Sequence, residues 1–208
     1  MKLKKSVKRK LIIFFVIVLS IVAIYVYLNC FDKKKKVKST VTSEIKEYGY
    51  VVKDTQNDAY KKEFKNLEKI LSGKKIDEEA YVKSISKLFI IDFYSLDDKL
   101  AKTDVGGKEF VHELELEDFL EKAQDTMYKY VENNLYGERK QTLPIVTSVE
   151  VGKVEKVAYG YKDKKDENAY QVEVTWTYKE KTGDGYQTKA TLYFVHEDKK
   201  LYLVELKK

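Results

Sequence analysis

Residues 170–178 read YQVEVTWTY, and residues 186–194 read YQTKATLYF. Apolar and polar side chains alternate along both stretches, which predicts two β-strands that each bury one face. The intervening KTGDG at 181–185 contains the residue types of a tight turn, so the two strands form an antiparallel hairpin. The buried positions are expected to be Tyr170, Val172, Val174, Trp176 and Tyr178 on the first strand, and Tyr186, Ala190, Leu192 and Phe194 on the second.

Further strands flank this hairpin on both sides. Residues 145–161 form a long alternating stretch, in which Gly152 predicts a β-bulge. Residues 197–200 supply a second turn, and residues 201–206 a last short strand. The C-terminal part of the chain is therefore predicted to be an antiparallel sheet.

The preceding residues have the 3.6-residue period of amphipathic helices instead. Three helices are predicted, over 58–71, from Asp77 to about Leu96, and over 116–136. The paired glycines at 106 and 107 indicate a turn, with a short strand at 109–112 after it. Helices followed by antiparallel strands indicate an α+β fold, with the helices packed on one face of a curved sheet.

An uncharged apolar run, LIIFFVIVLSIVAIYVYL, occupies residues 11–28. Eighteen residues at about 1.5 Å each approach the thickness of a bilayer core, so we expect a transmembrane helix over 11–30. The rest of the chain divides into a basic cytoplasmic tail (1–10), a juxtamembrane linker (31–44) and an α+β domain (45–208). The six basic residues before the run favour a cytoplasmic N-terminus and a domain outside the cell membrane.

Cleavage of the apolar run is a weaker expectation. The run is longer than the apolar core of a signal peptide, and no small-residue cleavage site follows it. Cys30 leaves a lipoprotein as an alternative, although Tyr27 and Asn29 are unlike the small residues that precede a lipidated cysteine. As the single cysteine, Cys30 has no partner for a disulfide within the chain.

The net charge of +6 belongs to the membrane flanks. Residues 1–40 contain eleven lysines and arginines and one acidic residue, whereas the other 168 residues contain 29 basic and 33 acidic side chains. The flanks can therefore meet anionic lipid headgroups, and the domain itself is slightly acidic. A nucleic-acid partner is not expected.

The sequence contains no phosphate-binding loop, no zinc-protease motif and no nucleophile elbow. The two histidines, His112 and His196, are far apart in the chain, so neither a metal site nor a cofactor is expected. Asp163, Asp166 and Glu167 lack the spacing of a calcium loop and indicate a solvated turn. No catalytic residue is predicted.

One set of residues could line a pocket. Tyr170, Trp176, Tyr178 and Phe194 share a face of the sheet, where packing in the core is the simpler interpretation. Asp92 is the single charge in LFIIDFY, so it lies either at an exposed edge or in a cavity. In a cavity its pKa would be raised, as a general acid or base requires.

The order of elements, helix, helix, short strand, helix and then long antiparallel strands, resembles that of the cone-shaped nuclear-transport-factor-2-like superfamily. Together with the N-terminal anchor, it also resembles bitopic assembly proteins of type IV secretion and conjugation channels. The resemblance covers residues 77–206 and rests on element order; a cystatin-like fold would have a similar order with fewer helices. It implies a domain that acts as a pocket or a dimer interface, and in some members as an enzyme.

Two functional hypotheses follow. In the first, the outer domain is non-catalytic and binds another protein, or itself, at the cell envelope. In the second, the open end of the cone binds a small ligand or carries out a reaction. A filled core under the helices favours the first hypothesis, and a roomy cavity with polar groups at its rim favours the second.

Overall fold

The computed structural model describes residues 5–30, 36–180, 182 and 184–208. The chain divides into two units, residues 1–36 and residues 37–208. The first unit contains helix α1 (Lys5–Cys30). Within α1, the side chains of residues 12–27 are described without interruption. Among the described residues, no helix is long and apolar enough to cross a membrane.

The second unit is α+β, as predicted, and its sheets are antiparallel. Its helices are α2 (Asp58–Leu71), α3 (Glu78–Tyr94) and α4 (Glu113–Asp125), with a 3-10 turn at Lys108–Phe110. A two-stranded sheet consists of β1 (Val41–Ile45) and β2 (Tyr50–Lys53). A four-stranded sheet has the order β3 (Val146–Tyr161), β4 (Lys164–Tyr178), β5 (Lys189–Glu197) and β6 (Lys200–Lys207).

The helices cover one face of the four-stranded sheet. The inward residues of β4 and β5 are buried with those of α2 and α3 in a single core, and Glu173, Thr175 and Thr177, which alternate with them on β4, are exposed. Helix α3 is the most deeply buried helix, with eleven buried residues, as its broad apolar surface predicts. The register shift between Val151 and Val154 confirms the predicted bulge near Gly152.

Helix α2 has the predicted bounds because Asn57 caps it: the Asn57 side chain accepts a hydrogen bond from the backbone N–H of Tyr60 at 2.9 Å. Asp77 caps α3 in the same way. The apolar period placed both helices from sequence, and these two caps determine where each helix starts.

The third predicted helix of the domain, 116–136, is wrong at both ends. Helix α4 begins at Glu113, because the His112 ring accepts a hydrogen bond from the backbone N–H of Leu114. It ends at Asp125, and the chain then turns so that the buried Tyr128 hydroxyl can donate to the carbonyl of Phe93 at 2.7 Å. Tertiary burial of Tyr128 overrides the helical periodicity.

Two other boundaries differ from the prediction. The strand expected at 109–112 is the 3-10 turn, followed by a single parallel bridge between Val111 and Leu203. The linker expected over 31–44 is shorter, because β1 already begins at Val41.

Candidate functional site

The aromatic residues predicted as pocket candidates lie mainly in the core. Tyr170, Trp176 and Phe194 are at most 3% exposed, and the Trp176 ring lies 4.3 Å from that of Tyr94. Tyr178 is half-buried, and its hydroxyl donates to the carbonyl of Gln187 at 2.9 Å. These side chains hold the helices on the sheet, which is the simpler of the two interpretations.

Asp92 lines a small cavity of about 140 Å³ between α3, the 3-10 turn and the segment after β2. One carboxylate oxygen accepts hydrogen bonds from the Lys99 ammonium at 2.9 Å and from the Gln56 side chain at 3.2 Å. The other accepts the backbone N–H of Gly107 at 2.6 Å. Both oxygens of Asp92 are thus held by protein donors.

We call Gln56, Asp92, Asp98 and Lys99 the charged cluster, and Lys99 lies at its centre. Its ammonium lies between Asp92 and Asp98, 2.7 Å from the second, and its side chain is only 5% exposed. The Arg139 guanidinium donates to the carbonyl of Lys99 at 2.7 Å and fixes the backbone there. These contacts connect the segment that follows α3 to Asp92 on the helix.

The predicted rise in the pKa of Asp92 is wrong. Burial on its own would raise this pKa, but the Lys99 ammonium and the three hydrogen bonds outweigh burial, so that the pKa is lowered. Asp92 therefore stays ionised and is a poor general base. Burial does raise the pKa of Asp98 to about 6, against the opposing effect of Lys99.

Glu109 is a third carboxylate with a shifted pKa at this cavity, and no sequence pattern pointed to it. Burial raises its pKa to about 7, although a hydrogen bond from the Tyr60 hydroxyl at 2.8 Å opposes the rise. The same burial lowers the pKa of Lys200, whose ammonium lies over the Tyr50 ring. Glu109 sits in the 3-10 turn, where a strand was predicted, so its burial could not be inferred.

A much larger groove, of about 590 Å³, lies between α4 and β6. Its apolar lining comes from α3, from α4 and the turn after it, and from β6, and residues 185–187 also line it. Charged residues of α4 lie at its rim. The apolar lining includes Phe93, Tyr94, Phe119, Met127, Leu203 and Leu206, and the polar residues include Glu115, Asp118, Lys122, Gln187 and Lys208.

The groove runs along the edge of the sheet. Strand β6 is the last in the sheet order, and the carbonyl of Leu203 accepts a hydrogen bond from the backbone N–H of His112 at 2.8 Å. Among the described residues, the outer edge of β6 beyond Leu203 has no backbone partner. Unpaired backbone groups beside an apolar surface can accept an additional strand.

A polar cluster outside the groove joins β4, β5 and α3. The Nδ1 of His196 lies 2.8 Å from a carboxylate oxygen of Asp166, which also accepts the backbone N–H of His196 at 2.7 Å. Asp166 thus belongs to β4, not to the solvated turn expected from its lysine-rich surroundings. Among the described residues, no group of three or more histidine, cysteine or acidic side chains could hold a metal ion.

Comparison with protein-family models, with curated proteins and with solved structures finds no match to this chain.

Proposed function

We propose that this chain is a single-pass membrane protein, with residues 1–10 in the cytoplasm and the domain outside the cell membrane. Helix α1 has 26 residues, a length of about 39 Å at 1.5 Å per residue. The large apolar side chains between Ile12 and Tyr27 are 41–67% exposed and lie all round the helix. A helix that is apolar on every side requires an apolar surrounding, which a bilayer supplies.

The domain is proposed to bind a partner and not to catalyse a reaction. The observation that carries this proposal is the 590 Å³ groove, with its apolar lining and charged rim. Its position beside the free edge of β6 suits an extended segment of a partner protein. Backbone hydrogen bonds to the edge would supply affinity, and apolar side chains entering the groove would supply specificity.

A second candidate function is binding of a small apolar ligand in the same groove. The volume favours it, since ligand pockets typically measure about 300–1,000 Å³ and combine an apolar lining with a few polar groups. The occupant could therefore be a partner protein, a second copy of this chain or a small molecule, and the experiment below distinguishes these outcomes.

The resemblance to nuclear-transport-factor-2-like domains and to bitopic assembly proteins of secretion channels belongs to this proposal. Its support is the element order of the domain: two helices, a third helix and then four antiparallel strands. The same resemblance is compatible with each of these three occupants of the groove.

The groove can be tested by photo-crosslinking of the full chain in its native membrane. A photoreactive side chain at Met127, just after α4, probes one wall of the groove, and one at Leu206 probes the β6 wall. A third at Glu121, an exposed α4 residue outside the groove, is the matched control.

A protein segment lying in the groove contacts both walls, so Met127 and Leu206 should give an adduct with the same protein and Glu121 should give none. A small mass increment would indicate the ligand function, and an adduct of twice the chain mass would indicate self-association. Absence of any adduct at both walls contradicts the groove as a binding site. Extraction of the membranes with alkaline carbonate tests the anchor independently, since release of the protein would refute it.

A further inference from the structure

The domain has a structured loop at the point where the chain enters it. We call residues 130–141 the entry loop. The first residue of the domain, Val37, donates a backbone hydrogen bond to the carbonyl of Leu135 at 2.8 Å. A Cβ added to Gly137 would come within 3.6 Å of the Val37 side chain. The entry loop therefore lies directly against the start of the domain.

Polar contacts fix the conformation of the entry loop. The Gln141 side chain accepts from the backbone N–H of Glu132 at 3.0 Å and donates to the carbonyl of Tyr130 at 2.9 Å. Asn134 accepts the backbone N–H of Arg139 at 3.0 Å, and its own N–H donates to the carbonyl of Leu100 at 2.7 Å. A loop held at both ends and in its middle presents its outward side chains in a defined position.

Two of those outward side chains are aromatic. Tyr130 is 74% exposed, which makes it the most exposed of the large apolar side chains described in the domain, and Tyr136 is 46% exposed. The Lys129 ammonium lies 5.4 Å from the centre of the Tyr130 ring. The internal hydrogen bonds of the loop explain its shape, but they do not explain why two tyrosines face outward from it.

The chain length keeps this loop near the membrane if residues 11–28 span it. Eight residues lie between Leu28 and Val37, and the nine steps from one to the other cover about 30 Å when the chain is fully extended. The headgroup layer adds roughly 5–8 Å to each side of the hydrocarbon core. The tether thus lets the entry loop reach the headgroups and keeps Val37 within about 25 Å of them.

The charges near the loop suit an anionic surface. Lys38, Lys129 and Lys140 are exposed lysines at the start of the domain or within or beside the entry loop. The acidic residues of the loop are Glu132 and Glu138. Lysines near an anionic membrane surface each contribute about 1 kcal/mol to its binding.

We propose that the entry loop docks on the membrane surface: Tyr130 and Tyr136 enter the headgroup layer, and the neighbouring lysines contact anionic lipid. Tyrosine is enriched at this depth because its ring is apolar and its hydroxyl polar. The proposal rests on the membrane anchor proposed above, since without the anchor no force holds the loop near a bilayer. Docking would fix the orientation of the domain and hence the direction in which its binding groove faces.

The test uses the full chain in vesicles of mixed neutral and anionic lipid that carry a quencher at headgroup depth. A tryptophan is introduced at Tyr130 or, in a second variant, at Tyr136. The native Trp176 is 3% exposed and supplies a constant background. The matched control is Lys165→Trp, an exposed position beside the β3–β4 turn. Strand β3 begins shortly after the entry loop and has sixteen residues, so this turn lies up to about 50 Å from the start of the strand.

We expect the quencher to reduce the added emission of Tyr130→Trp and Tyr136→Trp about twofold, and that of Lys165→Trp hardly at all. When Lys129→Glu and Lys140→Glu are added to the Tyr130→Trp or Tyr136→Trp variant, the quenching in anionic vesicles should decrease. Equal quenching at all three positions, or none at 130 and 136, overturns the proposal. If the protein nevertheless resists carbonate extraction, the anchor stands and only the docking fails, whereas release by carbonate refutes both.

Discussion

Replacing Lys99 by methionine should destabilise the domain more than the same substitution at any other lysine of the domain. The change leaves Asp92 and Asp98 buried side by side without their cation. Both carboxylates have side chains only 12% exposed, so water cannot replace the lost ammonium effectively. Removing one partner from a buried ion pair costs about 3–5 kcal/mol. Since domains of this size are stable by about 5–15 kcal/mol, the loss is a large fraction of the total.

The measurement is urea unfolding of the full chain in detergent, monitored by the fluorescence emission of tryptophan. Trp176 is the single tryptophan and is buried in the core, so its emission reports on unfolding of the domain. Lys83→Met is the matched control, because Lys83 is paired with Glu79 on the exposed face of α3. That exposed pair should contribute less than about 1 kcal/mol.

The double variant Asp92→Asn, Lys99→Met separates the ion pair from the packing of the lysine chain. It should recover part of the stability lost by Lys99→Met, because one uncompensated charge has been removed. A loss below about 1 kcal/mol for Lys99→Met, or no recovery in the double variant, would show that the charged cluster does not hold this part of the fold as described.

Two further predictions concern the same region. Gly107→Ala should be much more destabilising than Gly49→Ala. Both glycines have positive φ (74° and 66°), but only at Gly107 would the new Cβ lie 2.7 Å from the Phe89 ring. Equal urea midpoints for the two variants would refute that close approach. Raising the pH from 5 to 8 should lower stability, since burial raises the pKa of Asp98 to about 6 and of Glu109 to about 7, so that the folded state holds protons that the unfolded state has released. The pH dependence of the urea midpoint should weaken in Glu109→Gln, and an unchanged dependence would contradict this assignment.

Much of the fold could be predicted because its signals are local. Alternation along β4 and β5 identified the central hairpin, the 3.6-residue apolar period identified α2 and α3, and Asp77 marked the start of the second of these helices. The end of α4 could not be predicted, because Tyr128 leaves the helical pattern to reach Phe93 and Gly106, 35 and 22 residues away. Long-range burial of this kind has no local signature.

The candidate sites were only partly predictable for the same reason. Asp92 stands out as a charge among apolar residues, but its pKa depends on Lys99, which lies in an irregular segment and could not be paired with it in advance. Phe119, Ala123 and Met127 of the groove lining belong to the apolar period from which the helix over 116–136 was predicted. A stripe predicts burial, and only the structure reveals that β6 leaves part of it uncovered.

The way in which the chain enters the domain has a mechanical consequence. Strand β1 pairs with β2 so that Val41, near its entry point, lies opposite Lys53, where the hairpin leaves for α2. A pull transmitted through residue 36 would therefore part the two strands one hydrogen bond at a time, and would not shear them all at once. The side chains of β1 are mostly exposed, whereas the Tyr50 hydroxyl on β2 forms a hydrogen bond with the Tyr81 hydroxyl in the core. Tension would release residues 37–45 first and lengthen the tether by about 30 Å, at roughly 3.3 Å per residue, before the core bears any load.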